Sequence, residues 1–158
     1  RSTLFPYTTL FRSLDKLIKL DDLEENIFSE VAEQTADFIH SQQEKDKLGK
    51  PKYDTRGNPK YEDTNKSTQL RKFYDELVMW HDKVFHATDR GAAYRQVAPF
   101  IHMLRAKVAY SQGRGHVDQN FVEVFNKIIS EIKSPETLKH AKLFFEAVLG
   151  FRKAKEQK

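Results

Sequence analysis

The sequence predicts an all-α protein, a compact bundle of about five helices with no sheet. Three observations carry that expectation. Apolar residues recur at three- and four-residue intervals in each long segment, capping residues precede several of those segments, and no segment sustains the period-two alternation of a half-buried strand. The chain has 158 residues, 39% of them apolar, which is enough to fill one core and one ordinary domain.

The elements follow in order. Residues 1–13 (RSTLFPYTTLFRS) open without methionine and lack the charged and apolar regions of a signal peptide. They look like a translated sequencing adapter and are expected to be non-native. In the first helix region, 14–43, a helix is expected to open at Asp21 with Glu24 as its capping-box partner and to end near Gln43. Leu23, Ile27, Val31 and Ile39, flanked by Phe28 and Ala32, form its apolar stripe. Residues 44–66 hold two glycines, two prolines and twelve charges, the composition of a flexible, solvated linker. The helical core spans 67–158. Its first helix follows Ser67 or Thr68 to about Ala87, with Leu70, Phe73, Leu77, Trp80 and Val84 as its seam. The next covers about Ala92 to Gln112, bent or restarted at Pro99 and stopped by Gly113 and Gly115. Another starts near Asp118 and presents Phe121, Phe125, Ile128 and Ile132. The last is signalled by Ser134 as cap, Pro135 at the first position and Glu136 in the first turn, and buries Phe145, Val148 and Leu149.

Several function classes lack their parts. There is no cysteine, so disulfides, thiolate metal sites and cysteine nucleophiles are excluded, and a reducing compartment is expected. No G-x-S-x-G is present, and Gly113-Arg114-Gly115 is far from a phosphate-binding loop. Asp37-x-x-His40 and Asp82-x-x-x-His86 place a carboxylate and an imidazole on one helix face, but no paired Glu-x-x-His helices accompany them, so surface pairs are the expected reading. No cofactor and no enzymatic activity are expected. No apolar run approaches the roughly 18 residues that span a bilayer, and a soluble protein without a membrane partner is expected.

Charge is more informative. The net value is +4, with a pI near 9.2, yet residues 1–43 carry eight acids against four bases. Residues 88–116 carry Arg90, Arg95, Arg105, Lys107 and Arg114 against Asp89 alone. Such a concentration attracts phosphates, although a solvated helix face that lacks acids gives the same count. At 100° per residue, Met103, Lys107, Tyr110 and Arg114 lie nearly opposite the stripe of Val97, Ile101, Leu104 and Val108. An aromatic between two cations suits a nucleic-acid strand, the ring stacking and the cations meeting phosphates. Subunit packing by Tyr110 and a structural ion pair at Arg105 are the alternatives. Arg71 and Lys72 occupy a first helical turn, where cations oppose the macrodipole.

Three stretches, S-T-Q-L-R-K (Ser67 to Lys72), M-L-R-A-K-V-A-Y-S-Q-G-R (Met103 to Arg114) and E-T-L-K-H-A-K-L-F-F-E-A-V (Glu136 to Val148), occur in this order. Together they resemble the small subunit of the type III-A CRISPR–Cas effector, the Csm complex, over about residues 64–155. The resemblance implies a non-catalytic, cytoplasmic prokaryotic protein of antiviral defence. Copies of it stack along the backbone subunits and touch target RNA, in the guide–target duplex, through phosphates without reading sequence. Cleavage and nucleotide chemistry belong to the backbone and the large polymerase-like subunits. The implied partners are target and guide RNA, the other Csm subunits and further copies of the chain. Arg71, Arg105 and Arg114 match the motifs as RNA contacts, while Lys72, Arg95, Lys107 and Tyr110 are candidates from charge and spacing. The type III-B small subunit and a helical protein–protein adaptor are the competing expectations.

Overall fold

The chain is helical from residue 13, and the computed structural model describes residues 13–156, so the adapter-like segment up to residue 12 lies outside the described residues. After a short helical stretch at 13–17, a π-helical turn, Ile27–Val31, runs into α1, Ala32–Phe38. Then come α2 (Ser67–Phe85), α3 (Arg90–His102), α4 (Leu104–Gly113), α5 (Gln119–Ser130) and α6 (Pro135–Glu156). The described residues are all-α: three isolated antiparallel bridges occur, and no sheet.

α6 is the longest helix and packs against α1, α2 and the π turn, while α3 lies on α2 and α4 on α5. The core is aromatic where α2, α5 and α6 meet. Phe73, Phe121, Phe125 and Phe145 approach with ring centroids 5.6–6.2 Å apart, in tilted and edge-on geometries that favour aromatic pairs. The expected seams are buried except at Trp80, which is half-buried: Leu70, Phe73, Leu77 and Val84 on α2, and Phe121, Phe125, Ile128 and Ile132 on and just after α5. Asp118 caps α5 by accepting from the Phe121 amide (3.0 Å), and Ser134 Oγ accepts from the Thr137 amide (3.2 Å) at the start of α6.

The first helix departs from expectation at both ends. No helix opens at Asp21. The Leu20 amide instead donates to Glu131 Oε1 (2.9 Å), and the Leu20 carbonyl lies 2.6 Å from His140 Nδ1, so this backbone is held by α6 and the end of α5. At the other end the chain leaves the helix after Phe38 rather than Gln43. The carbonyls of Phe38 and Ile39 accept from Asn120 and Asn65 side chains (both 3.0 Å), which replace continued helical bonds. The long helix expected over 92–112 is two helices. It restarts at Met103, one turn after Pro99, which cannot donate to the carbonyl four residues before it.

Residues 44–66, expected to be a flexible linker, are mostly solvent-exposed up to Asp63 but regularly hydrogen-bonded. An octapeptide, D-x-x-G-x-P-K-Y, occurs twice in tandem, Asp46–Tyr53 and Asp54–Tyr61. In each copy the Asp Oδ1 accepts from two amides of its own turn: Leu48 and Lys50 in the first, Arg56 and Asn58 in the second (2.8–2.9 Å). Each turn needs a left-handed residue, supplied by Gly49 (φ 81°) and Gly57 (φ 84°). The amides of Glu44, Lys52 and Lys60 donate in a closed ring to the carbonyls of Lys60, Glu44 and Lys52 (2.7–3.0 Å). The turn bonds Asp46→Lys50 and Asp54→Asn58 have their counterpart in Glu62→Gln42. The segment is therefore a pseudo-threefold unit of two turns plus the stem that joins it to the bundle.

That stem ends on Asn65, which is fully buried at φ 53°. Its amide donates to His116 O, its Nδ2 donates to Ile39 O and Asp118 Oδ1, and its Oδ1 accepts from the Asp118 amide (2.9–3.0 Å). Its carbonyl accepts from buried Arg152 of α6. One residue, through its side chain and its backbone, thus ties the turn unit, α1, the α4–α5 connection and α6 together.

Candidate nucleic-acid interface

A groove of about 570 Å³ runs between α2 and α4. Phe73, Met103 and Ala106 give it apolar walls, and Lys72, Lys107, Tyr110 and Arg114 stand along it. Gln69, Glu76, Ser111 and His116 complete it. Four of the seven expected contact residues therefore converge. The other three, Arg71, Arg95 and Arg105, are exposed but stand outside the groove.

Helical spacing sets the centre of the site. Tyr110 and Arg114 are four apart, and Arg114 Nη1 donates to Tyr110 Oη (3.2 Å), with its guanidinium carbon 5.9 Å from the ring centroid. The ring is 66% exposed, so one face remains open to a planar ligand. Gly115 at φ 79° turns the chain away just past α4, which leaves Arg114 at the helix end.

Lys107 is only partly available. Its Nζ donates to both oxygens of Glu76 across the groove (3.0 and 2.9 Å), an ion pair that helical periodicity could not reveal because the partner sits on α2. Lys72 carries no ion pair in the described structure. Arg71 is paired with Asp75 (3.1 Å) and lies 5.5 Å from the Tyr74 ring centroid, at a smaller cleft shared with Arg152 and Lys153. The missing acid in the first turn of α2 is supplied from elsewhere: Ser67 Oγ donates to Glu156 of α6, placing a carboxylate near the positive end of the helix. Asp37 pairs with Lys155 (2.6 Å), and Asp82 with His81 (3.0 Å). Of the groove residues, Met103 was legible on the Lys107–Tyr110–Arg114 face. Gln69, Glu76, Ser111 and His116 were not, because they arrive through the α2–α4 packing.

A profile of the Csm2 Type III-A family matches residues 53–158. The chain belongs to this family. It is therefore a small subunit of the type III-A CRISPR effector, the Csm complex, and the type III-B expectation gives way to that match. No curated protein and no solved structure matches the chain. In this Csm2-family chain the matched region begins at Tyr53, so it takes in the second octapeptide, all of α2 to α6 and all seven candidate residues. The acidic segment and the first octapeptide up to Lys52 lie before it. No helix among the described residues is long and apolar enough to cross a membrane.

Proposed function

We propose that this Csm2-family chain is a non-catalytic RNA-contact subunit. Copies line the guide–target duplex in the Csm complex and hold target-RNA phosphates without reading sequence, while other subunits perform the chemistry. The observation that carries this reading is the α2–α4 groove, where an exposed Tyr110 ring stands beside Arg114 and Lys107 with Lys72 on the facing helix. Exposed Arg71, Arg95 and Arg105 add a cationic surround. An aromatic plate among cations binds a polynucleotide by stacking and phosphate attraction, neither of which selects a base.

Charge reversal in the reconstituted complex tests it. Lys107→Glu with Arg114→Glu is expected to leave assembly with the other Csm subunits intact and to weaken target retention at least about tenfold at low salt, since the Arg114 contact becomes a repulsion and a second carboxylate joins Glu76 in the groove. Co-purification measures the first, and filter retention of labelled target measures the second. Failed assembly with normal retention of target would make the groove a protein-docking surface, as the adaptor reading requires. Exposed Phe100 (49%) and Met103 (48%) beside the groove are the features that reading would use.

A further inference from the structure

The turn unit between α1 and α2 carries six cations, Lys45, Lys47, Lys50, Lys52, Arg56 and Lys60, against Glu44, Asp46, Asp54 and Glu62. The acids are largely committed. Asp46 and Asp54 each turn an oxygen onto two amides of their own turn, and Glu44 faces Lys52 at 3.7 Å. The backbone bond at Asn58 is the main cause holding the Asp54 carboxyl below its ordinary range, so it stays an anion bound to its own loop. Among the described residues, Lys45, Lys47, Lys50, Arg56 and Lys60 are exposed and form no ion pair. Each octapeptide also ends in a Lys-Tyr pair, and Tyr53 and Tyr61 are 58% and 49% exposed, the Tyr61 ring standing nearly perpendicular to that of His40 with centroids 5.2 Å apart.

We infer that the octapeptide unit is a second nucleic-acid contact, separate from the α2–α4 groove, which takes single-stranded RNA by phosphate attraction and stacking on Tyr53 and Tyr61. Free cations and an exposed tyrosine, presented twice on one scaffold, match a polymer that repeats a phosphate and a base. The ring of backbone bonds fixes the scaffold in advance, so binding orders little chain. An acidic protein surface would use the cations but gives no role to two exposed tyrosines.

The test uses the full chain and a fluorescein-labelled 20-nucleotide oligouridine, titrated by anisotropy at two salt concentrations. Lys50→Glu, Arg56→Glu and Lys60→Glu together are expected to weaken binding about tenfold at low salt and to flatten the salt slope by about 2. Tyr53→Ala with Tyr61→Ala is expected to weaken binding about fivefold or more while leaving the slope unchanged. Either variant binding within about twofold of the parent, with its helical circular dichroism intact, overturns the inference. So does a charge variant that keeps oligouridine but no longer joins the other Csm subunits, the mark of an acidic protein partner. Lys107→Glu with Arg114→Glu runs in parallel. If it alone loses RNA, the groove reading stands and this one falls; if only the turn-unit variants lose RNA, the reverse holds.

Discussion

Asn65 shows how much one side chain can decide. It is the one non-glycine residue at positive φ among those described, and its buried side-chain amide bonds to two other segments, at Ile39 and at Asp118. Alanine there takes the partner from the Ile39 carbonyl and the Asp118 amide and gives up asparagine's tolerance of the left-handed region, so Asn65→Ala is expected to destabilise by about 3 kcal/mol. Asn65→Gly loses the same bonds but not the backbone fit, and its urea midpoint should lie between those of alanine and the parent. Equal midpoints for the two variants would remove the backbone argument. Asp118 has a similar double duty, as cap of α5 and partner of Asn65, and the sequence announced only the first.

At the scale of elements, α2 is the hinge of the argument, since it packs on α6 with one side and borders the groove with another. Its clasp to α6 includes Tyr74 Oη, which donates to Glu146 Oε1 (2.7 Å). Burial first, and then the bond to that carboxylate, raises the Tyr74 phenol well above its ordinary value near 10. Because the folded pKa is the higher one, this contribution is complete below about pH 10 and fades as pH rises beyond it. Tyr74→Phe should therefore remove part of the loss of stability seen on raising pH from about 9.5 to 11.5, measured as urea midpoints for both proteins. The α2–α4 ion pair makes a second prediction. Glu76→Gln frees Lys107, so single-stranded RNA should bind about twofold to threefold more tightly and the salt slope should steepen by about 0.7. Unchanged affinity would mean that Lys107 serves the helix pair alone. In the aromatic core, Phe125→Ala is expected to cost about 4 kcal/mol, read from chemical denaturation, because its ring contacts Phe73, Phe121 and Phe145 at once.

At the scale of the whole molecule, charge is divided between an acidic beginning and a basic middle, and the fold gathers part of the latter around one groove. Three phosphate contacts at the groove on a single strand give a salt slope of only about −2, and the turn unit adds about as much again, so an isolated chain is expected to bind RNA at micromolar or weaker affinity, independent of sequence. Several copies held side by side would multiply that affinity through effective concentration. Anisotropy with unrelated oligonucleotides at two salt concentrations checks this. Tight, salt-insensitive or sequence-selective binding by the lone chain would contradict it.

The sequence by itself determined the helical class, the caps at Asp118 and Ser134, the buried seams of α2 and α5, and the shared face of Met103, Lys107, Tyr110 and Arg114. All of these follow from local periodicity and from side chains that satisfy their own helix ends. The eight-residue repeat in 46–61 was also legible there, in two D-x-x-G-x-P-K-Y strings, but its high charge and its glycines suggest a flexible connection until the backbone ring is seen. Only the tertiary structure decided where the first helix begins and ends, that Lys107 faces Glu76, and which four of seven candidates share a groove. Each of those depends on hydrogen bonds and ion pairs between residues 26 to 120 positions apart, and no pattern within one helix encodes which helix it will meet.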